Sequence, residues 1–159
     1  MKIVNMTQTD HLSILIDNVK ALEESLKWLS RSFTICNDQH NLQDISEEGM
    51  DAFESFTSRF SRTSDLLFNK VFRSIAYLEE GEQMSWLDVI FLMEKINVID
   101  SAEDARLIKE LRNDIVHEYV LKDLIPLFDE VLKKCPLLLQ YSENAIKKAE
   151  EVITKIKKF

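Results

Sequence analysis

Two glycines and two prolines are all that 159 residues contain of the strongest backbone breakers. A chain this poor in turn-formers is ill suited to the many tight turns of an all-β fold. It must run in long segments joined by short connections. The apolar residues say what those segments are. From Leu12 they recur at Leu15, Val19, Leu22, Leu26, Leu29, Phe33 and Cys36. Steps that alternate three and four draw one stripe along an α-helix, the seam of a bundle. The spacing therefore predicts a first helix from Thr9 or Asp10 to Cys36, followed by a polar loop from Asn37 to Glu48.

The same pattern continues. Phe53, Phe56, Phe60, Leu67, Val71, Ile75 and Leu78 share a face of a second helix over about 48–80, with Thr63 filling a gap. Gly81 stops it, because glycine accepts the left-handed C-cap conformation. A third helix follows Ser85 as N-cap and carries Trp86, Val89, Ile90 and Met93. A fourth begins at Ser101, with Glu103 and Asp104 at its positive end and Ile108, Leu111 and Ile115 as its core stripe. A fifth starts near Asp123, which places Pro126 in its first turn. Lys133-Lys134-Cys135-Pro136 predicts a break or kink before a last helix bearing Leu138, Tyr141, Ala145, Ala149, Val152 and Ile156. No internal repeat is present. The expectation is an all-α chain, one domain over 1–159, folded as an antiparallel bundle of five to six helices.

Composition narrows the class. Apolar residues are 45% and charged residues 30%, ordinary for a globular protein able to bury a core. No apolar run is long enough to span a bilayer and the N-terminus carries no secretory h-region, so a cytoplasmic protein without membrane contact is expected. Cys36 and Cys135 have no metal-ligand spacing and read as reduced core thiols. The net charge of -8 argues against coating nucleic acid, although a local basic cleft remains compatible with it.

Acid–base chemistry points to the three histidines. His11 and His40 lie in polar surroundings without a sequence neighbour to act with, and read as solvated surface. His117 differs. On an ideal helix, His117 and Asn113 point roughly 150–170° away from the stripe of Ile108, Leu111 and Ile115, while Arg112 and Tyr119 flank that stripe at roughly 50–70°. Asn113 and His117 are then one turn apart on an outward face. Asp114 and His117 form an Asp-x-x-His pair, but no second such pair exists, so no metal site and no cofactor are expected. Arg59, Arg62 and Arg73 read as a solvated face of the second helix, or as contributors to a nucleic-acid groove. The C-terminal lysines, Lys147, Lys148, Lys155, Lys157 and Lys158, read as soluble helix surface or, alternatively, as a phosphate contact.

The segment Arg112-Asn113-Asp114-Ile115-Val116-His117-Glu118-Tyr119 resembles the signature of HEPN domains (higher eukaryote and prokaryote nucleotide-binding). Its Arg-x4-His-x-Tyr form is similar to that of HEPN toxins encoded beside minimal nucleotidyltransferases. The match covers Arg112, Asn113, His117 and Tyr119, and extends to the rest of the chain only as a pattern of helices. The resemblance implies a metal-independent endoribonuclease acting as a homodimer, with Arg112 and His117 as the catalytic pair and Asn113 assisting. It implies RNA as substrate and a minimal nucleotidyltransferase as antitoxin. For Tyr119 two readings stand: a tyrosine at the rim of the core, or the acceptor that the nucleotidyltransferase adenylylates. A rival expectation for the whole chain is a non-catalytic helical subunit that presents substrate to a nucleotidyltransferase.

Overall fold

Thr7 starts the first helix. Its side chain accepts from the Asp10 amide at 3.2 Å, and Asp10 Oδ2 accepts from the Thr7 amide at 2.8 Å. This reciprocal box satisfies two amides that an open helix end leaves unpaired. The Thr7 amide also holds the Asp10 carboxyl below its usual range. The helix, α1, therefore spans Gln8–Asn37, one or two residues earlier than the apolar spacing predicted. The computed structural model describes residues 6–38, 42–118 and 121–158, except the side chains of 121 and 122.

After a 3-10 turn at Leu42–Asp44, α2 covers Glu47–Asp65 and α3 covers Phe72–Glu80. Between them Leu66–Val71 is a π-helical turn, in which the Phe72 amide reaches back five residues to the Leu67 carbonyl. The predicted second helix is thus one rod with a widened turn inside it. Just before that turn, Thr63 and Ser64 hydroxyls donate to the carbonyls four residues back, at 2.8 and 2.9 Å, contacts that loosen and bend helices. Gly81 ends the rod with φ 78, as its position predicted.

Helix α4 is Trp86–Lys95 and α5 is Ala102–His117. Their caps are the predicted ones: Ser85 Oγ accepts from the Asp88 amide, and Ser101 Oγ from the Asp104 amide. The final helix, α6, runs unbroken over Leu121–Lys157. Of the break or kink expected at Pro136, the break is absent, and Pro126 lies in the second turn rather than the first. The reason is visible in the core. Phe128, Val131, Cys135, Leu138, Tyr141, Ala145, Ala149 and Val152 are buried at steps of three and four straight through Pro136. Burial worth about 1.5–3 kcal/mol per large side chain outweighs the roughly 3 kcal/mol that an interior proline costs.

Counting α2 to α3 as one rod, five helices make the bundle, and no strand occurs among the described residues. α1 packs against both α2 and α6, and α5 packs against α2, α4 and α6. Phe53, Phe56, Phe60, Leu67, Phe72 and Ile75 from the second rod fill the centre. Within it the buried Ser25 and Thr63 hydroxyls meet at 2.7 Å. The Tyr141 hydroxyl donates to Asp100 and the Asn144 amide to the Val98 carbonyl, which fastens the α4–α5 corner to α6. Burial and the Asp100 carboxylate together push the Tyr141 hydroxyl well up from its ordinary value. Among the described residues, no helix is long and apolar enough to cross a membrane.

Candidate functional site

Helix α5 sorts its side chains by its period. Ala105, Ile108 and Leu111 are buried and Ile115 packs against them, so Asn113, Asp114, Val116 and His117 are carried to the exposed side. His117 is the last helical residue. The outward Asn113/His117 pair read from the sequence is therefore present. Tyr119, the expected modification site, lies outside the described residues, as does His40.

Arg112 sits at the border between these faces, half-buried, and it is not free. Its Nε lies 2.8 Å from Asp65 Oδ1 and its Nη2 donates to Asp65 Oδ2 at 2.9 Å. This ion pair ties α5 to the last residue of α2 through one hydrogen bond, from Nη2, while the buried Nε lies close to the carboxylate without a hydrogen bond of its own. The remaining nitrogen, Nη1, makes a long 3.4 Å contact to Asn113 Oδ1.

Arg112 and Asn113 line a cavity of about 140 Å³ with Asp65, Asn69, Trp86 and Lys109. Lys109 Nζ stands 4.1 Å above the Trp86 ring, held there by the attraction of a cation for an aromatic face. Trp86 in turn rests edge-on against Phe68 of the π turn. The cavity floor is thus built on the widened turn, and π-helical turns inside α-helices recur at functional sites.

His117 does not line this cavity. Five residues separate it from Arg112, a rotation of roughly 140° on a helix. One copy of α5 brings Arg112 and Asn113 together and turns His117 elsewhere. Among the described residues, no group of three His, Cys, Asp or Glu side chains is arranged to hold a metal ion.

Several contributors were missed in the sequence. Asp65 is 47 residues from Arg112, and no local pattern announces their pairing. Trp86 packs against the core from its expected face, but it is only half-buried and carries Lys109 over its outer side, which its spacing does not announce. Arg59, expected in solvent, lies 5.2 Å over Trp28 and donates to Ser32 Oγ at 2.6 Å, clamping α2 to α1. Arg73 stays exposed yet donates to the Met84 carbonyl at 2.9 Å. His11 is the largest correction. Its ring stacks on Tyr77 at 3.7 Å, because the bundle lays the start of α1 beside α3.

No protein-family model, curated protein or solved structure matches this chain.

Proposed function

We propose that this chain is the toxin of a toxin–antitoxin pair, a HEPN-type endoribonuclease that needs no metal and whose active site is shared between two copies. The observation that carries the reading is the arrangement on α5: an exposed Asn113/His117 pair at the helix end, with Arg112 and Lys109 at a neighbouring cavity.

The chemistry follows from these groups. The substrate's own 2′-hydroxyl attacks the adjacent phosphorus. His117 of one copy takes the hydroxyl proton, and the partner's His117 protonates the departing 5′-oxygen. The O2′–P bond forms and the P–O5′ bond breaks, which leaves a 2′,3′-cyclic phosphate and a 5′-hydroxyl. Arg112 offers a planar fork to the phosphate oxygens as negative charge grows there. Because Arg112 and His117 diverge along one helix, a second copy is what lets both kinds of group meet one phosphate. Leu87 and Phe91 on α4, with Leu107 and Val116 on α5, are large apolar side chains left exposed, and a second copy facing α5 would cover such surface. Two copies also concentrate cations in one cleft of an acidic protein. Tyr119 is assigned the role of acceptor: its hydroxyl attacks the α-phosphorus of ATP under a partner nucleotidyltransferase, releases pyrophosphate, and the attached AMP blocks the cleft.

One observation favours the rival, non-catalytic reading. The Asp65 carboxylate already meets the Arg112 charge, as it would if Arg112 served only to join helices. Purified protein incubated with RNA in EDTA separates the two. Cleavage to cyclic-phosphate ends that is lost in His117→Ala, and lost again when nucleotidyltransferase and ATP add one AMP to Tyr119, supports the ribonuclease. A stable complex with the nucleotidyltransferase that shows neither cleavage nor modification sinks it.

A further inference from the structure

The stacked pair His11 and Tyr77 borders a second cavity, of about 240 Å³, where α1 meets α3. Asn18, Lys70, Arg73 and Met84 also line it. We propose that this cleft holds one nucleotide of the RNA strand, away from the phosphate at Arg112, so that the substrate lies along the π turn. The inference rests on the ribonuclease reading and names where that substrate runs.

Three observations lead there. The first is the chemistry of the walls. The two stacked rings are only half-buried, so they offer an edge or face to a base. Aromatic platforms of this kind hold single strands without regard to sequence. Asn18 spends its Nδ2 on Ser74 Oγ at 3.0 Å, which leaves its carbonyl oxygen as an acceptor for a base edge. Lys70 and Arg73 stand one turn apart and exposed. Arg73 is braced by the Met84 carbonyl, which fixes its fork while leaving further N–H groups for phosphate. Glu82 also lines the cleft and opposes them, but two cations outnumber it.

The second is continuity. Asn69 lines both this cleft and the Arg112 cavity. Asn69 and Lys70 also line a third hollow, with Arg62 and Asp65. All three open beside the π turn, whose Asn69 and Lys70 are both exposed. Arg62, Lys70, Arg73, Lys109 and Arg112 line hollows that share residues of this turn; Asp65, paired with Arg112, and Glu82 oppose them, which leaves a local excess of cations on a chain of net charge -8. The third is size. About 240 Å³ falls below the roughly 300–1,000 Å³ of pockets that enclose a whole ligand. It suits one base of a longer strand better than a free cofactor.

The test uses the full chain and two RNAs. A dinucleotide has no nucleotide beyond the two that flank its one phosphate, whereas a single-stranded decamer supplies further nucleotides for the cleft. Tyr77→Ala, and separately the surface pair Lys70→Glu with Arg73→Glu, are expected to lower kcat/KM on the decamer about tenfold through KM, the usual effect of losing one stacked base. Dinucleotide cleavage stays unchanged, and Tyr77→Phe keeps full activity on both. Unchanged decamer kinetics in both variants, or equal losses on both RNAs, overturns the assignment. So does AMP alone competing as strongly as the decamer, which would mark a free-nucleotide site. If the parent protein neither binds nor cleaves the decamer, the ribonuclease reading falls and takes this subsite with it.

Discussion

Asp65→Asn keeps the shape beneath Arg112 and removes its charge. The two contacts of 2.8 and 2.9 Å set the charge centres about 4 Å apart, where attraction is about 1 kcal/mol in water and about 4 at an effective dielectric constant of 20. The side chains are 31% and 40% exposed, so water screens them and the lower end applies. Exposed pairs contribute about 0.2–1 kcal/mol, and a half-buried pair with one hydrogen bond and a second close contact belongs toward the top of that range. Asp65→Asn is therefore expected to lower unfolding stability by about 1 kcal/mol and Tm by about 2–4 °C. If Arg112 holds the RNA phosphate as proposed, the same change frees it from a competing carboxylate. In a His117→Ala background, affinity for an oligoribonucleotide should rise about fivefold, the equivalent of about 1 kcal/mol. Urea unfolding of Asp65→Asn, Arg112→Gln and the double variant gives the coupling energy directly. A coupling below about 0.2 kcal/mol shows the pair to be inert. Weaker RNA binding by Asp65→Asn refutes competition and makes Asp65 a positioning residue for Arg112 instead.

Three further outcomes can be measured. Thr63→Val strands the buried Ser25 hydroxyl and should cost about 1–3 kcal/mol in urea unfolding, while adding Ser25→Ala recovers much of the loss; no recovery would count against the 2.7 Å pairing. Pro136 is exposed within α6 and has little packing to lose, so Pro136→Ala should stabilise by about 2 kcal/mol, the helix gain less the entropy returned to the unfolded chain. A loss of stability would mean that the proline's ring is needed where it sits. Burial pushes the Cys36 thiol from 9.0 up to about 11 and Cys135 up to about 12. The folded chain then keeps protons that the unfolded chain releases, so this stability is complete below pH 9 and drains away from pH 9 to about 11 for Cys36 and to about 12 for Cys135. Both thiols should resist iodoacetamide at pH 8 until urea is added, and labelling of the native protein within minutes would contradict their burial.

What the sequence revealed and what it hid divide along physical lines. Caps are local, so Ser85, Ser101 and Gly81 could be read in place. The period of α5 is local too, and it turned Asn113 and His117 outward as expected. Thr7 caps through a local Thr-x-x-Asp pattern, but the apolar stripe that marks the helix starts later than the helix itself. Pro136 misled for a different reason. A breaker's cost is fixed and small, whereas the stripe that α6 buries on both sides of it could only be weighed once its partners were known. The π turn left almost no trace, since one added residue disturbs three-and-four spacing little. Asp65 with Arg112, and His11 with Tyr77, join residues 47 and 66 positions apart, and only the packed bundle brings them together.

The length of α6 has a consequence for how the protein is made. Its 37 residues, about 55 Å of helix, are the last to be synthesised of all the elements that cover α1. At about 5–20 residues per second, α6 takes about 2–7 s to follow α5 out. Throughout that interval α1, which packs on α6, has only part of its eventual cover, and a ribosome stalled within α6 leaves apolar surface open to chaperones and proteases. A chain that needs its last long helix to close the core cannot complete its bundle early. Arg112 and His117 are translated before that helix, so the residues assigned to catalysis exist on the nascent chain before the fold that would hold them in place.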